Sequence, residues 1–325
     1  MRKMAFRTLL AWLCFTLVAC SNSSDSNDTT DVVALDANVL VFTEQAVPPS
    51  VIQDLIAQGD AGTAERLSGS IAGKAVTIVK LSGKTNHFGR DLQGNYLDYH
   101  ATVPDAPVWI AEYPWTRDRD ITTDESGWWT MYIVKDAGAD LEFSFIYDKE
   151  DWITTKTNVI TVEDEDNTDL AIQYIDPDFY NVLMLPYVEN MLRENGYPNF
   201  FFANAMVVTV GKSWASMHDD RLPHGDPGAT MTITPQPGDA VGPVYFNKQV
   251  IPDVTWSSTS VDGGVVWLNL PLDQTYYVSA EKEGVTYPTV KFRITAADIA
   301  AGVQLFIASP PDSLEGSNDS PPGEP

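Results

Sequence analysis

Cysteine is almost absent from this chain: 325 residues hold two, Cys14 and Cys20. Both fall near the start, so the rest of the chain has no thiol and can form no disulfide. Thiol nucleophiles, Zn–Cys sites and redox roles are excluded there. Basic residues are scarce too, with 20 Lys and Arg against 45 Asp and Glu and a formal net charge of −25. Charge of that sign repels nucleic acid and anionic headgroups and favours solubility, cation accumulation or basic partners. No nucleic-acid partner is expected. After Val18 no apolar run approaches the ~20 residues of a membrane-spanning helix. G-x-S-x-G, H-E-x-x-H, P-loop and G-x-G-x-x-G patterns are missing, and Ser70 and Ser213 lack the paired glycines of a nucleophile elbow. Carboxylate pairs are plentiful, but among 45 acids their occurrence does not signal acid/base work. The sequence reads as noncatalytic, with no catalytic residue and no cofactor.

What is present starts with Arg2, Lys3 and Arg7, an apolar run from Leu9 to Val18, and Leu17-Val18-Ala19-Cys20. A basic start, a short apolar stretch and a small-residue exit make a secretory signal. The last four residues resemble the bacterial lipoprotein lipobox, in which the Cys is diacylated and becomes the mature N-terminus. That resemblance implies a signal peptide over 1–19, lipidation at Cys20 and membrane attachment through lipid alone. The competing reading is ordinary cleavage with Cys20 as a free thiol. Ser21 stands where an Asp would resemble an inner-membrane retention signal, so the expected location is the outer membrane. Loss of residues 1–19 leaves 17 basic against 45 acidic residues, a charge of −28. Residues 20–31 are small, polar and acidic and read as a flexible tether.

Strand signals dominate the chain beyond the tether. A short helix is expected from Ser50 through Val51, Ile52, Leu55 and Ile56. Runs at Ala75–Val79, Pro107–Ala111, Trp128–Val134, Leu141–Tyr147, Asn158–Val162 and Leu170–Ile175 are β-branched or aromatic and separated by Gly, Pro, Asp and Asn. Asp176-Pro177 opens a helical stretch ended by Gly196 and Pro198. Strands resume at Met206–Val210, Thr230–Thr234, Val265–Leu270, Tyr276–Lys282, Thr289–Ile294 and Val303–Ile307. The expected fold is mainly β: two tandem transthyretin-like or Ig-like β-sandwiches over 32–176 and 201–311, joined by a helical linker over 177–200. A Pro-rich acidic tail, 312–325, should be disordered.

The halves share a plan. Asp105-Ala106-Pro107-Val108-Trp109-Ile110 leads to Asp124-Glu125-Ser126-Gly127 and a strand, while Pro227-Gly228-Ala229-Thr230 leads to Asp262-Gly263-Gly264 and a strand. With Gly127 matched to Gly264, Trp129, Met131 and Ile133 fall with Val266, Leu268 and Leu270 on one core face, and Trp128, Thr130 and Tyr132 fall with Val265, Trp267 and Asn269 on the other. Gly228-Ala229, the turn Thr259–Gly264, the Leu270-Pro271 step and Tyr276–Gly284 resemble the carboxypeptidase regulatory-like domain over about Met206 to Pro311. The resemblance implies a transthyretin-like sandwich and says little about activity.

Three groups of side chains are candidate sites. Trp128 and Tyr132, with Trp109, Tyr113 and Trp115, could form an outward aromatic platform on which a sugar ring stacks beside carboxylates. Against this, the helix around Ile52 and Leu55 or the partner domain could cover that face. His218, His224 and Asp226 could gather around a divalent cation, giving a metal-dependent enzyme as a further alternative. A solvated loop is the plainer reading. Asp118-Arg119-Asp120 and Glu163–Asn167 carry oxygen ligands for calcium without EF-hand spacing, and read better as solvated hairpin ends. The leading expectation is a noncatalytic, lipid-anchored envelope protein that binds a partner protein or a glycan.

Overall fold

The computed structural model describes residues 35–43, 48–58, 67–71, 74–88, 102–165, 167–175, 177, 189–190, 193–194, 196, 205–211, 225–238 and 240–308. In the first half the β-branched and aromatic runs form β1 (Val39–Val41), helix α1 (Pro49–Gln58), β2 (Leu67–Ile71), β3 (Lys74–Phe88), β4 (Val108–Ile110), β5 (Trp128–Asp136), β6 (Leu141–Phe143), β7 (Phe145–Tyr147), β8 (Thr155–Thr157), β9 (Ile160–Val162) and β10 (Asn167–Ile175). The second half gives β11 (Ala205–Thr209), β12 (Thr230–Thr234), β13 (Val241–Phe246), β14 (Pro252–Asp253), β15 (Gly264–Leu268), β16 (Gln274–Glu281), β17 (Val290–Ile294), helix α2 (Ala296–Ala300) and β18 (Leu305–Ile307). The fold is mainly β and built of sandwiches. Within the expected linker, helical backbone is described at 177, 189–190 and 193–194.

Each half repeats one topology. In the first, β10-β3-β5 faces β4-β7-β8; in the second, β18-β11-β15 faces β12-β16-β17. In each, the last strand returns parallel to the first, β10 on β3 and β18 on β11. The same buried threonine clamp holds both opening turns. Thr123 Oγ1 donates to the Val103 carbonyl at 2.6 Å and accepts from the Ala106 N–H at 2.9 Å. Thr259 Oγ1 donates to the Asp226 carbonyl at 2.6 Å and accepts from the Ala229 N–H at 2.8 Å.

This clamp corrects the expected register by one residue. Thr123 and Thr259 each stand four residues before a glycine of the same left-handed conformation, Gly127 at φ 76° and Gly263 at φ 77°. Gly127 therefore matches Gly263, not Gly264. Trp129, Met131 and Ile133 do face the first core. Their counterparts toward the second sandwich are Val265 and Trp267, while Val266 and Leu268 face another buried cluster on the opposite side. A one-residue slip exchanges the faces of a strand, and here all of Gly264–Leu268 is buried. Hydrophobicity alone could not have fixed the register.

Other departures arise from pairing. Leu141–Tyr147 is two strands, because β6 pairs with β9 while β7 pairs with β4 and β8. The break falls at Ser144, whose N–H donates to Glu112 Oε2 at 2.7 Å. The β3 strand runs far beyond Val79 because β5 and β10 flank it. Gly83 is needed there: a Cβ would collide with the Leu170 carbonyl and the Trp129 ring. Helix α2 is absent from the sequence-based expectation, although Thr295 and Asp298 form a full capping box.

The two sandwiches are not separate beads. The back strands of the first and the front strands of the second join in one eight-stranded sheet, β14-β13-β15-β11-β18-β8-β7-β4, through parallel pairing of Leu305, Phe306 and Ile307 with Thr155, Lys156 and Thr157. One row across this sheet reads Trp267, Met206, Phe306, Lys156, Ile146 and Trp109. Paired residues share a face, so Trp109 and Ile146 of the first half enter the core cluster of the second. Lys156 interrupts the apolar row and is 2% exposed. Its ammonium donates to Asp298 Oδ1 and Oδ2 at 2.8 and 2.9 Å and to the Arg293 carbonyl at 3.0 Å. Asp298 Oδ2 also accepts from the Thr295 N–H at 2.8 Å, which couples the ion pair to the helix cap.

Replacing Lys156 with Met would leave Asp298 charged and buried without a cation. Chemical denaturation should show a loss of about 3–5 kcal/mol, and a change within error would refute this role. A second pair, Lys135 Nζ to Asp164 Oδ1 at 2.5 Å, ties the β5–β6 turn to the segment after β9. The Lys135 hydrogen bond holds the Asp164 carboxyl below its ordinary 3.8, with the Gly138 N–H assisting against partial burial. Because the folded-state pKa is depressed, this stabilisation is present above 3.8 and is lost as pH falls through the lower value. Lys135→Met should flatten that acid limb in stability measured against pH.

Candidate functional site

The five aromatic residues of the expected platform do not meet. Trp109, 5% exposed, lies in the core beneath the second sandwich, with the Arg117 guanidinium 5.6 Å from its ring centroid. Tyr132 packs outside β5 in a cluster with Ile52, Leu55 and Ile56 of α1, the covering that competes with the platform. Trp128 is half-buried at the start of β5. Tyr113 and Trp115 belong to another group: Phe42 meets Tyr113 edge-on at 4.8 Å and lies 5.8 Å from Trp115. The Phe42 N–H donates to the Val134 carbonyl, six residues or roughly 20 Å along β5 from Trp128. Of the five, Trp115 alone is exposed, at 45%.

Of the proposed cation ligands, His218 and His224 lie outside the described residues, as do Cys20, the tether and the tail. Asp226 is described and is 2% exposed. Its carboxylate accepts from the Lys282 ammonium and, at 2.6 Å, from the Tyr287 hydroxyl. The repeat explains its surroundings. Lys282 occupies the place of Lys149, whose ammonium donates to the Pro104 carbonyl, and Asp226 occupies the place of Val103. The second half has thus exchanged an apolar side chain for a carboxylate under the same lysine. Among the described residues no group of three or more His, Cys, Asp or Glu is placed to hold a metal. In the two acidic stretches, Asp164 serves Lys135, and Arg119 donates to the carbonyls of Asp36, Ala37 and Val39 at 2.8–3.2 Å, fastening the chain beside β1.

The sequence reading passed over the solvent face of β12-β16-β17. Met231, Ile233, Tyr276, Val278, Phe292 and Ile294 point into the core, so Thr230, Thr232 and Thr234 point outward and are exposed. Opposite them stand Glu281, Ser279 and Tyr277, and Tyr277 is 46% exposed. The T-x-T-x-T alternation of β12 was the available signal. The adjacent Tyr276 turns inward, its hydroxyl 2.8 Å from both the Pro271 carbonyl and Gln274 Oε1, and burial pushes its pKa up to about 12. Beyond β16 the face ends at the first sandwich, where Lys291 meets Glu142 at 2.6 Å and Arg293 meets Glu112 at 3.3 Å.

The exchange at Asp226 can be tested directly. Asp226→Val restores the first half's residue but removes the acceptor of Lys282 and Tyr287. A loss of about 1–3 kcal/mol is expected in denaturant titration, with partial recovery on adding Tyr287→Phe. Unchanged stability would mean that water serves both donors equally well.

No protein-family model matches this sequence, and no curated protein matches it. Among solved structures it is similar to the Bacillus anthracis TIE protein, with 12% identity and a TM-score of 0.20 over 73% of this chain and 34% of that one. It is similar also to the shaft pilin SpaA of Lactobacillus rhamnosus GG, with 7% identity and a TM-score of 0.21 over 75% of this chain and 100% of the pilin. A point mutant of that pilin gives 8% identity and a TM-score of 0.19, over 72% and 98%. The chain spans about a third of the length of the TIE protein, 34%.

Proposed function

We propose that this is a noncatalytic, lipid-anchored protein of the bacterial cell envelope, held at the outer membrane through Cys20, whose β-sandwiches bind a partner protein or a glycan. The observation that carries this reading is Leu17-Val18-Ala19-Cys20 at the end of a short apolar run behind three basic residues. The polar stretch from Ser21 to Asp31 then acts as a spacer. Arg119 supports the attachment mechanically, because its bonds to Asp36, Ala37 and Val39 hold the chain entering β1 to the first sandwich. The shared sheet supports a binding role, since a partner held on one sandwich is fixed relative to the other.

The noncatalytic part of the reading is supported by how the buried carboxylates are used. Asp226 and Asp298 are both met by lysines, so they serve the fold in the ground state. The resemblance of the second sandwich to carboxypeptidase regulatory-like domains belongs to the same reading. Labelled palmitate should enter the full chain expressed in a bacterium with an outer membrane, and it should be lost from a Cys20→Ser variant. Label retained by that variant overturns the anchor. Hydrolysis of peptides or glycans by the purified protein overturns the noncatalytic role.

A further inference from the structure

We propose that the solvent face of the β12-β16-β17 sheet binds a neutral polysaccharide, with the Tyr277 ring as the stacking surface. This rests on the reading of the chain as an envelope binder and names both ligand class and place.

Tyr277 sits in the middle strand, not at a ragged edge. Thr234 and Lys291 flank it across the sheet, and Thr275 and Ser279 flank it along β16. Thr232 lies opposite Ser279, and Ser279 Oγ is 3.1 Å from Thr289 Oγ1. An exposed ring is therefore bordered on three sides by the hydroxyls of Thr234, Thr275 and Ser279, each able to donate and to accept, and on the fourth by Lys291. A pyranose has the same two chemistries: a face of C–H groups that stacks on an aromatic ring, and a rim of hydroxyls. The floor is firm, because every strand beneath is anchored by inward apolar side chains. Even the outer strand is tied, its Met231 N–H donating to the Tyr245 hydroxyl at 2.9 Å.

Charge selects among glycans. Lys291 and Arg293 at the border are paired with Glu142 and Glu112, so neither is a free cation for a sulfate or carboxylate. The whole chain carries −25, which repels a polyanion. Protein partners prefer an apolar, aromatic-rich centre, and a single ring among threonines does not provide one. The neutral polysaccharide is the remaining fit.

The full chain, purified from membranes in detergent, should be tested by affinity electrophoresis and calorimetry against a soluble β-glucan, an α-glucan, a mannan and a xylan. Binding of at least one is expected. Tyr277→Ala should weaken it about tenfold or more, and Tyr277→Phe, which keeps the ring, should stay within about threefold. Thr232→Lys, which leaves the core untouched, should also weaken binding, and unchanged melting temperatures would show that the variants fold. Three results overturn the proposal: no binding to any of the four, undiminished binding by Tyr277→Ala, or loss on Trp115→Ala in place of Tyr277→Ala. The first removes the ligand class and leaves the palmitate result to judge the anchor. The other two keep glycan binding and move it off this face.

Discussion

Three residues of parallel strand pairing, Thr155–Thr157 against Leu305–Ile307, decide how the two halves of this protein stand. An edge strand presents a row of unpaired backbone donors and acceptors and is satisfied by any strand that can align with it. Here the back edge of the first sandwich and the front edge of the second satisfy each other. The row from Trp267 to Trp109 then becomes continuous, and the second core draws in side chains from the first half. Lys156 lies where this seam crosses the apolar row. Its three acceptors, both oxygens of Asp298 and the Arg293 carbonyl, match the three protons of an ammonium. A buried charge so fully satisfied fixes geometry more than it adds stability, since desolvation offsets most of the attraction.

The seam also shapes the surfaces available for function. It buries Trp109, and it sets the glutamates of the first sandwich against the basic border of the β12-β16-β17 face. That face keeps its hydroxyls and Tyr277 in solvent, while α1 covers the outward side of β5 around Tyr132. Trp109, Trp128 and Tyr132 lie apart, Tyr113 and Trp115 gather around Phe42, and Tyr277 is left exposed.

Much of the fold was legible, because short β-branched runs and turn residues carry strand boundaries locally. The alternation of Trp129, Met131 and Ile133 gave the first core directly. The duplication was legible as well, but its register was not. Gly263 and Gly264 are adjacent, both faces of β15 are buried, and only the threonine clamp with the left-handed glycine distinguishes the alignments. The candidate sites fared less well for a related reason. Which aromatic side chains meet depends on which strands pair, and the break at Ser144 and the length of β3 are products of pairing.

The sequence by itself determined the absence of thiols beyond Cys20, the strong acidity, the mainly β class and the repeated plan, because each is a matter of composition or of periodicity within a few residues. It also supplied the four residues at Leu17–Cys20 on which the envelope reading stands. The tertiary structure decided the register of the repeat, the continuous sheet, the burial of Lys156 with Asp298 and the choice of Tyr277 over Trp128 as an outward ring. Each of these depends on backbone edges and side chains far apart in the chain, and edge pairing is chemically alike for every strand until the fold selects the partner.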